Sequence, residues 1–139
     1  MTVRTRALSV LSVLVLTIPL SSCGNDEGGV GATEVDFSIT LDQTDVSAGE
    51  TTFDISNEAD QTHEFVVIKT DLAEGDLPTN EDGDVDEEGE GIEPVDEVED
   101  IAGGSTESLT VDLDPGNYVA ICNLPGHYRQ GMHASFTVT

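Results

Sequence analysis

Near its end the chain reads CNLPGHYRQGM, a run that holds Cys122, His127 and Met132 with four residues between each and the next. The 139-residue chain has only two cysteines, two methionines and three histidines. A thiolate, an imidazole and a thioether are all metal donors. Thiolate and thioether are soft and imidazole is intermediate, so the set favours copper over the hard ions calcium and magnesium. Zinc prefers closed structural sites of cysteine and histidine, without methionine. Taken singly, each residue has an ordinary use: the cysteine as a small buried hydrophobe, the methionine as packing, the histidine as hydrogen-bonded filler. Their shared loop argues against three separate accidents.

Three donors need strands to aim them, and the sequence between 34 and 139 alternates with period two. EVDFSITL is read as one strand with Val35, Phe37, Ile39 and Leu41 on one face. TTFDISN turns Phe53 and Ile55 inward, and THEFVVIK places His63, Phe65 and Val67 on one face with Val66 and Ile68 on the other. ESLTVDL offers Leu109, Val111 and Leu113, and NYVAIC offers Tyr118, Ala120 and Cys122. The last strand offers Met132, Ala134, Phe136 and Val138, while His133 alternates to the opposite, surface side. SAGE, AGGS and DPGN are turn signals. Short strands at this spacing predict an all-β, Greek-key β-sandwich. The parity turns His63, Cys122 and Met132 towards its interior, and His127 closes over the same end from the connecting loop. Two imidazoles and a thiolate in a plane, with a weak axial thioether, are the donors of a mononuclear type 1, or blue-copper, electron-transfer site.

The N-terminus reads as an export address. Arg4 and Arg6 precede an apolar run from Ala7 to Leu20 that is short for a membrane span, so residues 1–22 are expected to be a signal peptide. The run ends in LSSC, which resembles a bacterial lipobox. The resemblance implies lipidation of Cys23, which becomes the new N-terminus. Residues 24–33 are expected to be a glycine-rich tether and 34–139 the folded domain. The protein is thus expected outside the cytoplasm, lipid-anchored on the outer face of the cytoplasmic membrane or in the periplasm. A lipidated Cys23 leaves Cys122 with no disulfide partner, an exposed position chemically for a thiol unless a metal takes it.

Without the signal peptide, Lys69 and Arg129 stand against 29 acids, a formal charge of −27. Such a surface excludes nucleic acid and attracts basic partners and cations. Half the positions from 71 to 100 are acidic. No strand pattern is visible there, so this stretch is expected to be a solvated insertion, with a short helix near 94–100. Residues 82–93 carry acids at calcium-loop positions 1, 3, 5, 7, 9 and 12, but Glu87 stands where the loop needs glycine and no flanking helix pattern is present.

YVAICNLPGHYRQGMHASFTV resembles the ligand loop of the cupredoxins, the blue-copper family that includes plastocyanin and azurin. The resemblance covers about 34–139 and implies one copper ion, Cu(I)/Cu(II), held by His63, Cys122, His127 and Met132. It further implies that Cys122 dominates the copper bonding and that Met132 tunes from the axial side. His127, among Leu124, Pro125, Gly126 and Tyr128, is then the exposed edge where a redox protein docks. The expected function is to carry single electrons, as a monomer, to a partner with a basic surface; no enzymatic activity is expected. A copper carrier or buffer without electron transfer is the alternative. Two departures stand out: Glu64 follows His63 where the family often has Asn, and Asn123 follows Cys122 where Ser or Thr is common.

Overall fold

The computed structural model describes residues 29–139, and the signal-peptide and lipobox readings, with Cys23, lie outside them. Among these residues nine strands form a sandwich of two mixed sheets. The strands are β1 (Val30–Val35), β2 (Ser38–Leu41), β3 (Asp45–Val46), β4 (Gly49–Asn57), β5 (His63–Lys69), β6 (Glu93–Ile101), β7 (Thr106–Leu113), β8 (Gly116–Ile121) and β9 (His133–Val138). One sheet has the order β2-β1-β4-β7 and the other β3-β9-β8-β5-β6. A single helical turn, α1 (His127–Gln130), lies between β8 and β9.

The alternation of β4, β7, β8 and β9 is as the sequence reads. Phe53, Ile55, Phe65, Val67, Leu109, Val111, Leu113, Tyr118, Ala120, Phe136 and Val138 fill the space between the sheets, together with Cys122 and Met132. Tyr118 stacks on Phe136 at 5.2 Å between ring centroids, and Phe53 meets Phe136 edge-on at 5.5 Å. Each such side chain, fully buried, contributes roughly 1.5–3 kcal/mol.

Two expectations near the start of the domain are corrected. Val30–Thr33, read as tether, belong to β1, which pairs in parallel with β4 from Val30↔Phe53 to Glu34↔Asn57. Small residues there (Val30, Gly31, Ala32) let the strand lie close over the core rather than hang free. EVDFSITL is two strands, not one: a turn at Asp36–Phe37 folds β2 back on β1, with Val35 paired to Ser38. Val35 is consequently 37% exposed, and Glu34 takes the inward position with no exposure at all.

The acidic stretch is corrected as well. Its last third is β6, a strand and not a helix, paired antiparallel to β5 from His63↔Ile101 to Lys69↔Glu93. β6 is the sheet edge, exposed along nearly its whole length. Charges and Pro94 are what an edge strand carries, because they discourage further pairing. Residues 71–92 form a strap across the outer face of the five-stranded sheet. Leu77, Val85 and Ile92 from the strap pack on Val66, Ile68, Val119, Ile121 and Tyr128. The strap is tied locally by Asn80, whose side-chain oxygen accepts the backbone N–H groups of Asp82, Gly83 and Asp84. Residues 82–93 therefore run through turns into β6, with no helix on either side.

Candidate metal centre

Each donor is carried to one end of the sandwich by a strand terminus. His63 opens β5. The loop before it is fixed by the buried Asn57, whose amide donates to the carbonyls of Gln61 and Ile101 (2.8 Å each) and whose oxygen accepts the N–H of Ala59 (3.0 Å). Cys122 follows β8 directly, and its N–H donates to the carbonyl of Met132 at 3.1 Å. That bond continues the β8–β9 ladder by one rung and holds the two ends of the ligand loop together. Within the loop, α1 is bracketed by Gly126 (φ 78°) and Gly131 (φ 114°), left-handed positions that favour glycine. The N–H groups of Gly131 and Met132 return to the carbonyls of Tyr128 (3.0 Å) and His127 (3.2 Å), closing the turn that presents His127.

The structure brings three of the sequence-predicted residues into contact distance. Nδ1 of His63 lies 3.2 Å from Nδ1 of His127, and Sγ of Cys122 lies 3.4 Å from Nδ1 of His127 and 3.9 Å from Nδ1 of His63. All three donor atoms are within 4.8 Å of one another. A point equidistant from them, taken from those three edges, lies about 2 Å from each, which is the length of a bond from a first-row metal to imidazole nitrogen or thiolate. The triangle thus fits one ion. Met132 is fully buried in the same core cluster as Cys122. Cys23 lies outside the described residues, and His133 is only part-exposed: its ring packs on Tyr128 and faces Glu74 at 3.7 Å, on the outer side of the sheet.

Burial sets the electrostatics. It pushes the Cys122 thiol up to about 11, aided by Glu34 and Glu64 and opposed by the backbone N–H groups of Glu64 and Leu124. The first of these donates to Sγ at 3.5 Å. Burial, and next the neighbouring His63, hold the His127 imidazole below its ordinary value. At neutral pH the site therefore contains a thiol and a neutral His127 imidazole, and binding a metal there releases the thiol proton.

Sequence reasoning missed what stands behind and beside the donors. Asp36 Oδ1 accepts from Nε2 of His63 at 3.1 Å. Phe37 meets the His127 ring edge-on at 5.2 Å. Tyr128, expected on the exposed edge with His127, points the other way: it is buried under the strap, where its hydroxyl donates to the carbonyl of Glu74 and accepts the N–H of Leu77, both at 2.9 Å. Phe37 takes its place beside His127. Asn123 fastens the strap: its oxygen accepts Val85 N–H at 2.6 Å, and its amide donates to the Val85 carbonyl (3.1 Å) and to Glu87 (2.9 Å). Asp84 accepts the N–H of Gly126, and Arg129 donates to Thr79. No sequence signal marks these contacts, because they join segments 27 to 90 residues apart. Replacing Asn123 by Ala strands the N–H and C=O of buried Val85, and is expected to destabilise the metal-free protein by about 3 kcal/mol in urea unfolding. An unchanged midpoint would mean that the strap holds without it.

A β-sandwich with two imidazoles and a thiol converging at one pole defines a mononuclear metal protein of the cupredoxin class. The chain belongs to the copper binding proteins of the plastocyanin/azurin family, whose model matches residues 27–139. Among solved structures it resembles the dithionite-reduced auracyanin of Roseiflexus castenholzii (19% identity, TM-score 0.56, 78% of this chain and 94% of that one). It also resembles auracyanin A of Chloroflexus aurantiacus, described as a "blue" copper protein (20% identity, TM-score 0.52, 81% and 100%). A third is the rusticyanin of Thiobacillus ferrooxidans (19% identity, TM-score 0.56, 80% and 76%). At these identities the likeness is one of fold. No curated protein is significantly similar in sequence. Family membership and the donor set make this a copper-binding protein of the electron-transfer kind.

Proposed function

We propose that the protein is a type 1 copper electron carrier working outside the cytoplasm, with His63, Cys122 and His127 in the copper plane and Met132 as axial ligand. The observation that carries this reading is the mutual approach of the two Nδ1 atoms and the Cys122 sulfur to within 4.8 Å. Bound copper supplies a one-electron Cu(I)/Cu(II) couple at a site that suits both states. The chain's own part is to bind and to hold geometry. β8 and β9 fix Cys122 and Met132 through the ladder. α1 presents His127 at the part-exposed rim beside Leu124, Pro125 and Phe37. This small apolar patch on a strongly anionic body suits brief docking: charge steers a basic redox protein in, and a small contact area lets it leave.

The lipobox-like LSSC supports an anchor at Cys23. That anchor would carry the domain, whose first strand begins at Val30, as a monomer close to the membrane. Among the described residues no helix is long and apolar enough to cross a membrane.

The test is to add Cu(II) to the protein and record visible and EPR spectra, with zinc as competitor. An intense blue band with a narrow copper hyperfine splitting is expected. A colourless protein that takes up zinc equally well would overturn the reading, and a preference for Cu(I) without the band would leave a copper carrier or buffer in its place. Met132→Ala is expected to keep copper yet shift the reduction potential in voltammetry, at a stability cost of about 2–5 kcal/mol for the emptied core position. An unmoved potential would remove Met132 from the axial role.

A further inference from the structure

The turn between β1 and β2 supplies two neighbours to the two imidazoles. Asp36 reaches across from the four-stranded sheet to Nε2 of His63 on the five-stranded sheet, at 3.1 Å, and Phe37 lies edge-on to His127. His63 is completely buried, whereas the Asp36 side chain is 35% exposed. The carboxylate can only accept, so Nε2 must carry the proton. That leaves the lone pair on Nδ1, the atom facing Cys122 and His127. The ring is thereby fixed in both tautomer and orientation.

We propose that Asp36 is a positioning residue that sets the redox balance of the copper centre through His63; the inference rests on the type 1 reading above. A carboxylate accepting from the far nitrogen makes the imidazole a stronger donor, and its negative charge favours the more highly charged ion. Both effects stabilise Cu(II) over Cu(I), and so hold the reduction potential down. Phe37 is apolar and has no such effect, so the two neighbours of one turn act differently on the two imidazoles.

The experiment uses the copper-loaded full chain and four variants. D36N keeps an acceptor oxygen and loses the charge; D36A loses both; D36E keeps the charge. D112N makes the same change in charge at an exposed position of β7, the far edge of the same four-stranded sheet. Potential is read by voltammetry and ligation by the visible and EPR spectra. D36N is expected to stay blue with the Cu(II)-to-Cu(I) affinity ratio reduced about tenfold, a shift of about 59 mV to more positive potential. D36A should shift at least as far and release Cu(II) faster, D36E should return towards the parent value, and D112N should barely move. A blue parent protein whose D36N potential matches that of D112N overturns this proposal alone. A parent protein without the blue band overturns the type 1 reading and this proposal with it. Should D36A not fold, the pairing of D36N with D36E still decides the matter.

Discussion

Substituting Ser for Cys122 is expected to abolish the blue colour and to weaken copper binding by more than ~100-fold, beyond the 10–100-fold typical of residues that merely support ligands. The thiolate is the softest donor of the four and the source of the intense absorption. Serine has nearly the same shape but is a hard, weakly acidic donor. Cys122 is fully buried, yet its neighbours Ala120 and Met132 pack without needing the sulfur's polarity. The variant should therefore keep the far-ultraviolet circular dichroism of the parent. The ladder bond from Cys122 N–H to Met132 involves only backbone and survives. A variant that stays blue would show that the sulfur does not bind the metal; one that loses its β-sheet signal would show that the residue is structural.

The second large effect comes from a carboxyl in the wrong solvent. Glu34 is fully buried, and neither of its oxygens has a hydrogen-bond partner. Burial, and next the charge of Glu64, push its pKa from 4.5 to about 8. Glu64 itself is raised to about 7, chiefly by burial, with a backbone hydrogen bond from Asn123 opposing and Glu97, Glu87 and Glu99 adding. A raised carboxyl keeps its proton in the folded state while the unfolded chain has already lost it. The folded protein is therefore unaffected below about pH 4.5 and loses stability steadily as pH climbs towards 8. For Glu34 alone the loss over that window is up to about 5 kcal/mol. Urea unfolding of the metal-free protein at pH 5 and pH 8.5 should show this fall, and Glu34→Gln, which cannot ionise, should remove most of it. Parallel pH profiles for parent and variant would mean that Glu34 is solvated or paired in solution.

The copper donors were legible for a simple reason. Cys122, His127 and Met132 are neighbours in sequence, and one loop suffices to assemble them. His63 came from strand parity, which holds wherever a strand has one core face. The same parity misled at Asp36–Phe37, because EVDFSITL alternates straight through a turn that the backbone makes there. Asp36 and Glu34 were hidden by that single error of register. β6 was illegible because an edge strand exposed on both faces has no apolar period to display; only Ile101 is buried along it. The strap carries Leu77, Val85 and Ile92 seven or eight residues apart in a run of acids. So sparse a pattern cannot be told from a solvated linker. What orders it, beyond the local turn at Asn80, is the side chain of Asn123 and the hydroxyl of Tyr128, contacts that exist only once the sheet is built.

β5 and β8 are covered on both sides, by the inter-sheet core on one and by the strap on the other. Most half-open sandwiches leave one such face to water. Here β5, which opens at His63, and β8, which Cys122 follows, lie where local opening is most expensive, so their amides are expected to belong to the slowest-exchanging unit of the molecule. Separating either donor from its strand then demands something close to global unfolding. A scavenger competing for the ion must wait for that rare event or enter by the rim at His127.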